Sequence, residues 1–192
     1  MQELDERKRA LRRALGARAK ALDAAYRAAA DRAIRGAVLN WEPWARAQTL
    51  FVYVSLPTEP DTRALIEAAL AAGKRVYVPL CGPGGVMRAV RIRALAELRP
   101  GTLGIPEPSG DGETAAPGSI DLALVPCVSA AESGARLGHG AGYYDRFLAL
   151  HRCPTLCLCY EALLCAELPM GERDIRMEHL VTEKGLRPCR DA

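Results

Sequence analysis

The stretch RLGHGAGYYD, residues 136–145, decides how the rest of the chain is read. Gly138, Gly140 and Gly142 alternate directly ahead of a predicted helix, with Arg136 leading in and Asp145 in the first turn. Glycine reaches backbone angles closed to other residues, so successive N–H groups can converge on one anion, and the helix N-terminus adds its dipole. Arg136 would supply a fixed fork of donors and Asp145 an oxygen ligand for Mg²⁺. The segment is neither a GxxxxGK[ST] P-loop nor a GxGxxG turn. On its residues alone it is a phosphate-binding loop or a glycine-rich surface turn capping a helix. The arginine, the alternation and the Tyr-Tyr-Asp that follows favour phosphate.

Working outward, the flanking segments alternate. Residues 48–54 (QTLFVYV), 75–80 (RVYVPL), 87–93, 121–126, 155–160 and 179–182 read as strands, and 61–72 and 143–151 as helices, with a further helix near Ala162. Such alternation predicts an α/β fold: one open, mostly parallel, Rossmann-like three-layer sheet with helices on both faces, residues 1–192 forming a single domain. In such sheets ligands collect at the carboxyl ends of the strands. That brings together residues 55–62, the Pro/Gly-rich 99–117 with its GIPEP (104–108), and the glycine loop. Glu59 and Asp61 stand two apart at a strand-to-helix junction, either as acceptors for a donor-rich ring or as helix caps. Asp174 is a second metal ligand or a solvated loop acid.

At the N-terminus Leu4, Leu11, Leu15, Leu22 and Tyr26 recur at spacings of four and seven, the stripe of one long helix, and residues 31–44 predict a second. Lys8 lies inside the stripe with Arg12 one turn on, so Lys8 either snorkels or reaches an anion. With 192 residues, 49% hydrophobic and 26% charged, the chain can bury a proper core. The net charge is +3, yet residues 1–35 carry ten Lys and Arg against five Asp and Glu, leaving 16 against 18 elsewhere. Without interleaved aromatics this is a solvated helix face, and no nucleic-acid partner is expected. No apolar run reaches membrane-span length and no signal-peptide h-region is present, so a cytoplasmic protein without a membrane partner is expected. Seven cysteines without CxxC spacing read as free thiols.

Further marks accumulate along the chain: K-x-x-L-R at 8–12 with a later Arg18, E-x-D-T at 59–62, GIPEP, an LVP strand entering the glycine loop, LP-x4-D at 168–174 and VTE-x-G at 181–185. Together, over nearly the whole chain, they resemble the 5-formyltetrahydrofolate cyclo-ligase family, also called 5,10-methenyltetrahydrofolate synthetases. The glycine segment is the specific part. The resemblance implies an ATP- and Mg²⁺-dependent enzyme, a carbon–nitrogen cyclo-ligase that closes the N5-formyl group of a reduced folate onto N10, releasing ADP and phosphate through a phosphorylated formyl intermediate. It implies small-molecule partners only and a monomer. By position it implies ATP contacts from Lys8, Arg12, Arg136, Leu137, Gly138, His139, Gly140, Ala141, Gly142, Tyr143 and Tyr144, and Mg²⁺ ligation by Asp145 and Asp174. Substrate contacts would come from Leu56, Glu59, Asp61 and residues 139–143, and catalysis from Arg136, His139 and Tyr143. His139 stands where the family usually has Arg or Lys, Ala141 where Gly or Lys is common, and Leu163 replaces a glutamine. A non-catalytic folate- or nucleotide-binding homologue with a weakened loop is the alternative.

Overall fold

The computed structural model describes residues 2–101 and 104–190. Its centre is a sheet of seven strands: β1 (Thr49–Val52), β2 (Arg75–Cys81), β3 (Met87–Ile92), β6 (Leu122–Val125), β9 (Thr155–Leu158), β10 (His179–Thr182) and β11 (Gly185–Pro188). The spatial order is β11-β10-β9-β6-β1-β2-β3. The five inner strands are parallel, and the edge strands β3 and β11 run antiparallel to their neighbours. Strands β1, β6 and β9 are buried along their whole length, which is why they read as unbroken apolar runs. Two short ribbons complete the strands, β4 (Arg99–Pro100) with β5 (Pro106–Glu107), and β7 (Ser129–Ala130) with β8 (Arg136–Leu137).

The helices are α1 (Gln2–Ala21), α2 (Ala24–Leu39), α3 (Glu42–Arg46), α4 (Arg63–Ala71) and α5 (Tyr143–His151). From β1 the chain crosses through α4 to β2 on one side; from β6 it crosses through α5 to β9 on the other. Right-handed crossovers in opposite directions put the two helices on opposite faces. Helix α2 joins the α4 face and lies against β10 and β11. On the α5 face Phe147 stacks on Phe51 with centroids 4.3 Å apart. Among the described residues no helix is long and apolar enough to cross a membrane. All seven cysteines are free thiols, as the spacing predicts.

Four local expectations change. The apolar stripe is not one helix: Asp23 interrupts it, its carboxylate accepting from the amides of Ala25 and Tyr26 at 2.8 and 3.2 Å, so Tyr26 belongs to α2. The helix predicted over 31–44 is the second half of α2 plus the separate α3, which begins beside Pro43. The segment near Ala162 is a single 3-10 turn, Glu161–Leu163. Strand β11, half-exposed and ending in Pro188, carries no strand signature and was not expected.

Because Phe147 is buried against both Phe51 and His151, Phe147→Ala is expected to lower the unfolding free energy by about 3–5 kcal/mol. Urea denaturation measures this; a loss under about 1 kcal/mol would mean that α5 is not anchored on β1 through this ring.

Candidate functional site

The parallel strands follow the order 2-1-3-4-5 when numbered among themselves, so the chain leaves β1 and β6 in opposite directions. A crevice must open where their carboxyl ends part. A cleft of about 390 Å³ lies there. Its floor is Tyr53 and Val54 after β1 and Pro126 after β6; α1 forms one wall, and the β2–β3 hairpin with β5 forms the opposite one.

The short β7–β8 hairpin turns at Gly134 (φ +84°), where a Cβ would stand 2.6 Å from the Met177 carbonyl oxygen, and it returns the chain so that Arg136 points beneath the glycine loop. The Arg136 side chain is only 3% exposed. One Nη donates to the Pro126 carbonyl at 3.2 Å and the other to Asp145 Oδ1 at 3.0 Å, while the guanidinium lies over the Tyr144 ring at 5.7 Å. Above it, Gly140 (φ +107°) and Gly142 (φ +68°) adopt the left-handed conformations that the alternation suggests. Gly138 does not, and it is constrained by space instead: a Cβ there would come within 2.8 Å of Arg136 Nη1. Arg12 donates from Nε to the Gly138 carbonyl at 2.7 Å, and its guanidinium closes over Gly140.

Lys8 reaches across from α1 to an ion pair with Asp174 Oδ2, which also accepts from the Gly171 amide at 2.6 Å. The apolar stripe thus delivers Lys8 into the cleft. Asp145 Oδ1 accepts a second hydrogen bond, 3.2 Å, from the amide of Ile175, the residue after Asp174, so both carboxylates belong to one corner. Glu59, its side chain 4% exposed, accepts from the Leu56 amide at 2.8 Å and meets His139 Nε2 at 2.9 Å. His139 therefore turns to the loop after β1. Leu56, Tyr143, Tyr144 and Ala141 line the cleft, and Leu137 lines it while burying its side chain below. Asp61 is absent from the lining; its carboxylate accepts from Ser55 Oγ and from Arg63 at the start of α4. Leu163 sits in the core, away from the lining.

Several residues of the site and its support escape sequence reasoning. Arg146, outside the cleft lining, donates to the Ala141 carbonyl at 2.6 Å and the Gly85 carbonyl at 2.9 Å, tying the glycine loop to the β2–β3 turn; its place directly after the motif was the available signal. The GIPEP loop was expected to line a site without naming a residue, and it contributes Ile105 and Glu107. Tyr53 and Tyr144 are held protonated, their pKa values pushed up by burial first and by the Glu59 charge second. Tyr53 donates to the Pro60 carbonyl at 2.9 Å and Tyr144 packs against Phe51 and the Arg136 guanidinium, roles that call for no base.

Removing Asp145 would leave the Arg136 guanidinium buried beside Pro126 without an anionic partner. Asp145→Ala is therefore expected to cost about 2–3 kcal/mol, below the value for a fully buried pair because Asp145 keeps some water, and Asp145→Asn less. Equal urea midpoints for wild type and Asp145→Ala would show that the pair carries no stability.

Comparisons with known proteins identify the family to which the chain is similar. The model of the 5-formyltetrahydrofolate cyclo-ligase family matches residues 4–183. The 5-formyltetrahydrofolate cyclo-ligase of Escherichia coli K12 is 34% identical over 76% of this chain and 83% of its own. That of Mycolicibacterium smegmatis is 32% identical over 91% of this chain and 92% of its own. Among solved structures, the 5,10-methenyltetrahydrofolate synthetase of Aquifex aeolicus superposes with a TM-score of 0.83 at 28% identity, covering 96% of this chain and 94% of its own.

Proposed function

The chain belongs to the 5-formyltetrahydrofolate cyclo-ligase family, and on that premise we propose that it closes the N5-formyl group of 5-formyltetrahydrofolate onto N10 at the expense of ATP, giving 5,10-methenyltetrahydrofolate, ADP and phosphate. The observation that carries this reading is the division of one cleft by the glycine loop. Toward α1 and β8 stand Lys8, Arg12 and Arg136; toward β2, β3 and β5 stand Pro79, Met87 and Ile105. A triphosphate suits the first half and a flat ring system the second. The reacting atoms would then meet at residues 138–143.

A formamide oxygen is a poor leaving group. Attack of that oxygen on the γ-phosphorus expels ADP and yields an N5-iminium phosphate. The N10 lone pair then adds to the formyl carbon, phosphate departs, and loss of the N10 proton leaves the methenyl bridge. Phosphoryl transfer of this kind needs position and charge neutralisation more than an acid or base. That agrees with a site in which burial holds Tyr53 and Tyr144 protonated. In this reading the amides of Gly140 to Tyr144 and the N-terminus of α5 bind phosphate oxygens. Lys8 and Arg12 compensate their charge, and Arg136 holds the loop and Asp145 in register. Leu56, Glu59 and His139 contact the folate, with His139 placed between both ligands and Tyr143 under the formyl group.

The residues also suit a divalent cation. The protein hydrogen bonds of Asp145 fall on Oδ1 and those of Asp174 on Oδ2, so each carboxylate has a second oxygen for a ligand. Among the described residues no group of three or more His, Cys, Asp and Glu forms a metal-holding cluster. Mg²⁺ characteristically takes one or two carboxylates with phosphate and water oxygens, and it would supply charge neutralisation on the β- and γ-phosphates. We place the protein, as a single domain and a monomer, in the cytoplasm with small-molecule ligands only.

The direct test is incubation with 5-formyltetrahydrofolate and Mg-ATP while following methenyl absorbance. Binding of both ligands without product would replace this reading by a non-catalytic binding protein. Lys8→Met keeps the stem and removes the charge, and it is expected to raise the KM for ATP about tenfold while that for folate moves less than twofold. Unchanged ATP kinetics would mean that Lys8 serves Asp174 alone.

A further inference from the structure

Resting on the proposed reaction, we infer that Arg146 is a positioning residue that couples the two halves of the cleft, so that a nucleotide on the glycine loop and a folate in the ring slot each tighten the other. Arg146 is an exposed side chain in the first turn of α5 and lies outside the cleft lining, yet it makes three directed contacts. Nη2 donates to the Ala141 carbonyl at 2.6 Å, Nε donates to the Gly85 carbonyl at 2.9 Å, and the guanidinium carbon lies 5.9 Å from the centre of the Tyr143 ring. The Tyr143 hydroxyl donates to the Gly82 carbonyl at 3.1 Å. Two side chains of one helix therefore grip the β2–β3 turn at two points.

Both segments are shaped around this one group. Gly85 (φ +76°) meets it from the turn and Gly142 (φ +68°) from the loop; a Cβ would stand 1.9 Å from Nη2 at the first and 2.9 Å from Nη1 at the second. Neither segment depends on Arg146 to fold. The turn closes on itself through the Gly82 amide and the Val86 carbonyl at 2.8 Å, β2 and β3 pair from Val76 and Ile92 to Cys81 and Met87, and α5 is anchored by Phe147. What Arg146 adds is a fixed distance between the glycine loop and the hairpin whose Pro79 and Met87 wall the ring slot, since a rigid fork bonded to two carbonyls sets their separation. The trans peptide between Ala141 and Gly142 carries the coupling. Its carbonyl is turned to Arg146, so its N–H, on Gly142, points the other way. A phosphate oxygen on that N–H polarises the carbonyl and strengthens its bond to the guanidinium. The guanidinium so fixed holds the Gly85 carbonyl, and the slot wall with it; a ring seated in the slot acts on the loop in reverse.

Calorimetry on the whole protein measures 5-formyltetrahydrofolate binding with and without Mg²⁺ and the non-hydrolysable β,γ-imido analogue of ATP. In wild type the analogue is expected to tighten folate binding about fivefold or more. Arg146→Met keeps the stem and removes the fork, and Gly85→Ala breaks the same tie from the hairpin side. Each is expected to bring that ratio below about twofold while either ligand alone binds within about threefold of wild type. Arg146→Lys, which reaches one carbonyl at a time, should retain part of the ratio. A ratio of one in wild type overturns the inference whether or not the variants fold. So does a ratio that survives both substitutions, and so does a loss of both single-ligand affinities in step with a lowered urea midpoint, the mark of a merely structural brace. Coupled binding without methenyl product would instead sink the proposed reaction and leave the tie standing, whereas failure of wild type to bind either ligand sinks both.

Discussion

A guanidinium held almost out of water at the point where the sheet changes direction is the constraint on which the rest of the site depends. Arg136 cannot lose its charge, so the fold must neutralise and hydrogen-bond it where it lies. Asp145 and the Pro126 carbonyl do so, and each contact fixes a different element: Pro126 the exit of β6, Asp145 the first turn of α5. Tyr144 covers the guanidinium face, and Gly138 stays bare because the same group fills the space where a side chain would go. The glycine loop is therefore stretched over a charged support rather than left as a free turn. Asp145 consequently carries structural weight beside any metal role, a coupling invisible when it is read simply as an acid after a glycine motif.

This support also sets the electrostatics. Three cations, Lys8, Arg12 and Arg136, face three carboxylates, Asp5, Asp145 and Asp174, so this half of the cleft carries no net side-chain charge as built. In the proposed reading, attraction for a polyphosphate comes largely from oriented backbone N–H groups of the loop and the α5 dipole, which need no counter-charge. Backbone donors work only while the loop keeps its shape. Arg12, bonded to the Gly138 carbonyl, and Arg146, bonded to that of Ala141, hold it from two sides. Both cations thus serve as braces as much as charges.

Strands β1, β6 and β9 were legible in the sequence because burial on both faces leaves only apolar residues, and the glycine loop because its geometry demands glycine. The break between α1 and α2 was hidden: Leu22 and Tyr26 keep the helical spacing across it, and only the cap at Asp23 betrays the stop. Strand β11 was hidden for the opposite reason, since an exposed edge needs no apolar pattern. Of the site, the motif residues were legible but not their partners. Lys8 and Asp174 lie 166 positions apart, and a carboxylate such as Glu107 in a polar loop looks like any solvated acid until the cleft surrounds it.

His139 shows how the length of one side chain decides which neighbour it serves. A permanently charged side chain at this position could reach a phosphate on a long stem, whereas imidazole is short and finds Glu59 at 2.9 Å. Glu59 is tied in turn to the loop it stands on, through the Leu56 amide, and the Tyr160 hydroxyl donates to its carbonyl and to Asp31 of α2. The contact of His139 therefore joins the glycine loop to the loop after β1 and, through Tyr160, to the helix layer behind the sheet. What the short imidazole lacks in reach toward a nucleotide it returns as a bond across the mouth of the cleft. A folate ring entering between the two loops would have to compete with that bond for Glu59.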